Sequence, residues 1–189
     1  AGVQSLASAL GDAALRPKLL ASLGLAAGNQ RIMAQSLQGF TTDILLTAGV
    51  RAPFLCSIYI GVARLVGVCS CVALVEPLGR RPLLLGGAAA MAACYVAISF
   101  SFVAQRPLAL AISFIALFFS WSASWAGLTW TVIAELPPAR IKGQSMAAGM
   151  CTFWAFNFVL SQSALAFLEA CTPQRATALF ALSCVGAYV

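Results

Sequence analysis

Long apolar blocks, separated by short polar breaks, organise the chain. Positions 82–105, 107–134 and 143–168 contain no Lys, Arg, Asp or Glu. About 20 apolar residues at 1.5 Å rise cross a hydrocarbon core of about 30 Å, so each block is predicted to be a spanning helix. Two more blocks are interrupted by charge: 19–50 contains Arg31 and Asp43, and 53–75 contains Arg64. A sixth apolar run starts near Ala176 and is still apolar at Val189, as expected of a helix cut short. The breaks carry prolines and cations, as in Arg16-Pro17-Lys18, Gln105-Arg106-Pro107 and Glu135-Leu136-Pro137-Pro138. Because lipid leaves no partner for free backbone groups, the spans are read as helices. The expected fold is an all-α polytopic membrane bundle. Residues 1–18 form a linker segment, and residues 19–189 a six-helix transmembrane domain whose two ends both read as cuts.

Charge orients this bundle. Arg16, Lys18, Arg80, Arg81, Arg140 and Lys142 fall on one side of the alternating loops, and Arg51, Arg106 and Arg175 on the other. The side richer in cations is predicted to be cytoplasmic. Composition agrees with burial in lipid: 61% of residues are hydrophobic and 8% charged, against about 25% charged in soluble domains. The net charge of +6 comes from scattered residues at span ends, so no nucleic-acid patch is expected. The seven cysteines are scattered without a CxxC pair and there is no His. No metal or cofactor is therefore expected. Neither a GxxxxGK loop, HExxH nor GxSxG occurs, and the chain is not read as an enzyme.

The candidate chemistry consists of polar side chains inside the spans. The first span carries Asn29, Gln30, Arg31, Gln35, Ser36, Gln38, Thr41, Thr42 and Asp43; the fourth carries Trp121, Trp125 and Trp130; the fifth carries Thr152, Trp154, Asn157, Ser161 and Gln162. Buried amides in lipid are costly unless paired. Two arrangements satisfy them: hydrogen bonds between helices, or a hydrated pathway in which amides meet hydroxyls and indoles stack on a sugar ring. Gly39, set among polar residues, is the expected break point of a discontinuous helix. Runs such as Gly86-Gly87-Ala88 are read as close-packing surfaces. Arg31 and Asp43 lie about 18 Å apart along one helix, which leaves Asp43–Arg64 as the candidate ion pair.

Two loops carry a family resemblance. Glu76-Pro77-Leu78-Gly79-Arg80-Arg81 resembles the D/E-x-x-G-R-R/K loop after helix eight of the sugar porter family of the major facilitator superfamily. Trp130 to Gly143, with Glu135, Pro138, Arg140 and Lys142 in register, resembles that family's P-W-x-x-x-x-E-x-x-P-x-R-x-R/K-G/A stretch. Asn157-Phe158 downstream is similar to its W-x-x-N-F motif. The resemblance covers helices seven to twelve, the C-terminal half. It implies transport of a hexose or related sugar or polyol by alternating access, in a carrier completed by an N-terminal six-helix half and seated in the plasma membrane. The resemblance puts Gln35, Trp130 and Asn157 at the family's sugar contacts and Thr41 at the motif's Asn position, and with Gln38 of the same polar span the expected contacts are Gln35, Gln38, Thr41, Trp130 and Asn157. The implied cytoplasmic charge network is Glu76, Arg80, Arg81, Glu135 and Arg140. The departures are Ser36 for the second Gln of the Q-Q-x-x-G-x-N motif, Thr41 for its Asn, Arg64 at the helix-eight polar position, and no prolines around Trp130. They keep two other readings open: a carrier for another solute such as an organic anion, and a non-transporting degenerate half or sensor.

Overall fold

The computed structural model describes residues 11–13, 15–32, 34–170 and 173–185. Most of the expected linker, the short stretch at 171–172 and residues 186–189 lie outside these. Eight helices follow one another: α1 Arg16–Arg31, α2 Ala34–Thr47, α3 Pro53–Leu78, α4 Arg80–Val103, α5 Pro107–Ala123, α6 Trp125–Glu135, α7 Lys142–Ala170 and α8 Pro173–Val185. No strand occurs among the described residues. Proline occupies the first turn of α1, α3 and α5, where its missing N–H has no intrahelical role. The α3–α4 corner turns on Gly79 at φ +82, a conformation glycine adopts without steric cost.

Two of the six expected spans are built from two helices each. The first is α1 plus α2: α1 ends at Arg31 with Ile32 as its C-cap, so the interruption does not fall at Gly39. Gly39 lies inside continuous α2 with open space around its Cα; one glycine weakens a helix by about 1 kcal/mol and does not by itself break it. The break sits where the freed carbonyls find donors. The buried Tyr95 hydroxyl of α4 donates to the Ile32 carbonyl at 2.6 Å, and Ser183 Oγ of α8 donates to the Arg31 carbonyl at 2.9 Å. The fourth span, which the sequence reading takes as one uninterrupted helix, divides at Ser124 (φ −135, ψ −81) into α5 and α6.

Packing concentrates on this divided rod. Over half of its apolar window is buried (56%), against 17% in α3 and 22% in α4, so α5–α6 forms the centre and α3 and α4 flank it. Close approach depends on missing side chains. A Cβ on Gly67 of α3 would meet the Phe119 carbonyl, and one on Gly87 of α4 would collide with the Ser124 hydroxyl. The expected close-packing role therefore holds at Gly87 and Ala88, whereas Gly86 faces open space. Tyr95, Phe114, Leu117 and Phe118 fill the interior, while Phe54, Leu65, Val72, Phe100 and Val103 point outward, as expected where lipid is the solvent. Three spans, α3, α4 and the α5–α6 rod, are long and apolar enough among the described residues to cross a membrane.

Candidate functional site

The polar groups of α1 divide at its last turn. Asn29 is buried, and both ends of its amide are occupied: Oδ1 accepts from Trp121 Nε1 at 3.1 Å, and Nδ2 donates to Thr129 Oγ1 at 3.0 Å. Thr129 in turn donates to the Trp125 carbonyl at 2.7 Å, and Trp125 Nε1 to the Leu84 carbonyl at 2.9 Å. This network closes on itself and fastens α1, α4, α5 and α6 together. Asn29, Trp121 and Trp125 thus follow the helix–helix reading and not the pathway reading.

Gln30 differs. It is 1% exposed, its Oε1 accepts from Asn157 Nδ2 of α7 at 3.2 Å, and its Nε2 has no partner. A buried donor left unpaired costs about 1–3 kcal/mol. Trp130 of α6 packs edge-on against Phe153 of α7, with ring centroids 4.9 Å apart. Phe153 lies one helical turn before Asn157. Trp130 is half-buried, and its indole N–H makes no hydrogen bond among the described residues. Amide, indole and unpaired donor therefore gather at the α1–α6–α7 junction.

The other expected contacts stand apart from that junction. Gln35 is half-buried and Gln38 exposed on α2, each without a side-chain hydrogen bond among the described residues. Thr41 is buried, and its hydroxyl donates to the Leu37 carbonyl at 2.7 Å. A cavity of about 710 Å³ lies on the far side of α2, lined by Leu37, Phe40, Ile44, Phe102 and Phe114 among others, and includes none of the five expected contacts. Gln30 stands among the polar candidates of the first span but not among the five expected contacts. Its signal was the Asn29-Gln30 amide pair standing directly after the apolar run 19–28.

The charged residues in spans also sort differently from expectation. No ion pair joins Asp43 to Arg64. Asp43 is exposed on α2 and lines the far cavity, whereas Arg64 lies on the packed face of α3 with its guanidinium 5.2 Å from the Trp121 ring centroid. At the end predicted to be cytoplasmic, Arg80 and Glu135 form an ion pair at 2.7 Å with each side chain about half exposed. Arg81 lines the same cleft. Glu76 and Arg140 are exposed nearby in sequence without an ion pair. No group of three or more His, Cys, Asp or Glu that could hold a metal occurs among the described residues.

Comparison with known proteins places this arrangement. A family model described as "Sugar (and other) transporter" matches residues 2–189. The chain is 31% identical to the probable glucose transporter rco-3 of Neurospora crassa over 139 residues, covering 67% of this chain and 23% of that protein. It is 29% identical to hexose transporter HXT9 of Saccharomyces cerevisiae, covering 69% and 27%, and 31% identical to the putative metabolite transport protein YncC of Bacillus subtilis, covering 77% and 32%. The chain thus spans about a quarter to a third of the length of these relatives. Among solved structures, the major facilitator superfamily proton:xylose symporter XylE superposes with a TM-score of 0.81 at 18% identity, over 89% of this chain and 38% of that one. At this identity the likeness concerns the fold.

Proposed function

The chain belongs to the sugar (and other) transporter family, and we propose that it forms the C-terminal half of a membrane carrier, not an enzyme, that moves a hexose or related sugar or polyol by alternating access. The observation that carries this reading is the Gln30–Asn157 pair beside Trp130, with one buried amide donor unpaired. A sugar hydroxyl accepts from such a donor, and an indole face covers the apolar face of a pyranose. The partners are the sugar, the lipid bilayer and the remainder of the carrier, which closes the pathway from the opposite side near the membrane midplane. Gln35 and Gln38, projecting from α2, reach the solute from the outer half of the pathway, and the plasma membrane is the proposed location. The Arg80–Glu135 pair, with Glu76, Arg81 and Arg140 around it, latches the cytoplasmic end.

One relative favours a second reading. The high glucose sensor RGT2 of Saccharomyces cerevisiae is 37% identical over 90 residues, covering 45% of this chain, and a sensor would bind the same solute without passing it. Uptake of labelled hexoses by the full-length protein in proteoliposomes separates the two. A carrier shows uptake that falls at least about tenfold in Gln30→Ala, Trp130→Ala and Asn157→Ala, the order of effect when a hydrogen-bonding site loses a partner. Saturable binding without uptake supports the sensor, and wild-type uptake in all three variants defeats the site.

A further inference from the structure

The sugar reading makes no use of the cavity of about 710 Å³ behind α2. Three helix faces wall it. Leu37, Phe40 and Ile44 recur along one side of α2, Leu110 and Phe114 along one side of α5, and Phe180 enters from α8. Two of the hydroxyls in its lining are already engaged within their own helices. Ser101 Oγ donates to the Ala97 carbonyl at 2.7 Å, and Thr47 Oγ1 to the Asp43 carbonyl at 2.8 Å. The depth of the cavity therefore suits an apolar body. Its mouth differs. The side chains of Asp43 and Arg106 both line the cavity, both are exposed, and neither forms an ion pair among the described residues. The α4–α5 corner fixes Arg106 there: its backbone N–H donates to the Ser101 carbonyl at 3.1 Å, and Gln105 before it turns the chain at φ +50. Charges of both signs thus stand unpaired over one apolar interior.

The mouth lies at the end of a span. Arg106 precedes Pro107, which opens the α5–α6 rod that Glu135 closes, so the cavity sits at the end of the bundle opposite the Arg80–Glu135 pair. Asp43 is four residues before the end of α2, about 6 Å, and Leu37 lies about 9 Å deeper along the same helix. Charge at the span end over an apolar shaft is the profile of a leaflet lipid, head outward and chain inward. We propose that this cavity holds a phospholipid of the surrounding leaflet with a zwitterionic head, one acyl chain among the phenylalanines, its phosphate at Arg106 and its ammonium at Asp43. Lipid tails are already out of water in the bilayer, so apolar walls give fit and little selectivity. The choice among lipids falls to the head. A guanidinium takes two phosphate oxygens through parallel hydrogen bonds. A purely anionic head would face the Asp43 carboxylate, and a purely cationic one the Arg106 guanidinium. A mostly apolar cavity of this size with a few convergent polar groups is the usual form of a small-molecule site. None of the proposed sugar contacts lines it, so its occupancy is independent of the solute.

The test is photolabelling of the full-length protein in nanodiscs, read residue by residue by mass spectrometry. Three probes carry the same photoreactive acyl chain: a phosphatidylcholine, a phosphatidylglycerol and a cationic trimethylammonium lipid. The phosphatidylcholine is expected to label Phe40, Ile44 and Phe102, which are only partly exposed, at least about fivefold more than either other probe, the order of one added charge-assisted contact. All three should label the outward Phe100, Val103 and Leu108 alike. Asp43→Asn should erase the preference over phosphatidylglycerol, and Arg106→Gln the preference over the cationic lipid. Ala48→Phe, which fills the cavity from its wall, should remove cavity labelling and leave the outward residues labelled. Label confined to Phe100, Val103 and Leu108 would overturn the proposal, as would cavity labelling by phosphatidylglycerol or the cationic lipid equal to that by phosphatidylcholine. Unchanged preferences in well-folded Asp43→Asn and Arg106→Gln would overturn it as well. The comparison of the three probes on wild type decides the matter even if no variant folds.

Discussion

Asn29 and Gln30 are adjacent amides on one helix turn, both buried, and they do opposite things. Asn29 has an indole N–H on its oxygen and a threonine hydroxyl under its nitrogen. Gln30 has Asn157 on its oxygen and nothing on its nitrogen. The first is a closed network that joins four helices, and the second an open one. In a bilayer this difference matters more than in water, because a polar atom that misses its protein partner has no solvent to fall back on. Composition cannot separate the two cases. Only an account of each donor and acceptor does: Asn29 is partnered at both ends between helices, Gln30 at one end only, and the proposed solute contact falls on the second.

Substitution can break that contrast. The largest effect is expected at Gln30. Gln30→Ala should cut uptake by about 10- to 100-fold, the loss of one hydrogen bond to a buried polar partner, while thermal stability in detergent falls less than in Asn29→Ala, because the unpaired donor leaves with the side chain and only the half-buried Asn157 amide loses a partner. Asn29→Ala should do the reverse. It leaves the Trp121 indole N–H and the Thr129 hydroxyl short of a partner and should cost about 1–3 kcal/mol, read as a lower unfolding temperature by size-exclusion, with uptake per folded molecule close to wild type. If both variants lose uptake and stability together, the division between the two amides is wrong.

The helix breaks sharpen the same point. That the first span carries polar residues at mid-depth, and that it is discontinuous, followed from the sequence; the position of the break did not. Gly39 drew attention as the obvious weak residue, yet it lies within α2. The break lies where Tyr95, about sixty residues on, and Ser183, about 150 residues on, reach the freed carbonyls. No local pattern carries that information, since it depends on which helices become neighbours. The Ser124 break was equally silent, because the run 107–134 is apolar throughout and the signal is a fit between Ser124 and Gly87. The spans themselves, and the Arg80 and Glu135 loops, were legible because length, apolarity and motif spacing are local properties. Tyr95→Phe tests the break. Removing the hydroxyl leaves the Ile32 carbonyl without that donor and should lower stability by about 1 kcal/mol, near the middle of the range for interhelical hydrogen bonds in membranes. An unchanged unfolding temperature would mean that the break stands without the hydroxyl.

The smallest effect on stability is expected at Arg80 and Glu135. The pair is close at 2.7 Å, yet both side chains are about half exposed, and exposed ion pairs contribute about 0–1 kcal/mol. Its placement is more informative than its strength. Arg80 opens α4 and Glu135 closes α6, so the contact ties a flanking helix to the C-terminal end of the central rod, where a weak bond can bias a conformational equilibrium without holding the fold together. Arg80→Gln and Glu135→Gln should each leave the unfolding temperature nearly unchanged. Each should alter uptake by no more than about fivefold, since 1 kcal/mol corresponds to that ratio in a two-state balance. The double variant should match either single one, because the second substitution has nothing left to remove. Additive effects in that cycle would show that the two residues act separately and that the contact is incidental to gating.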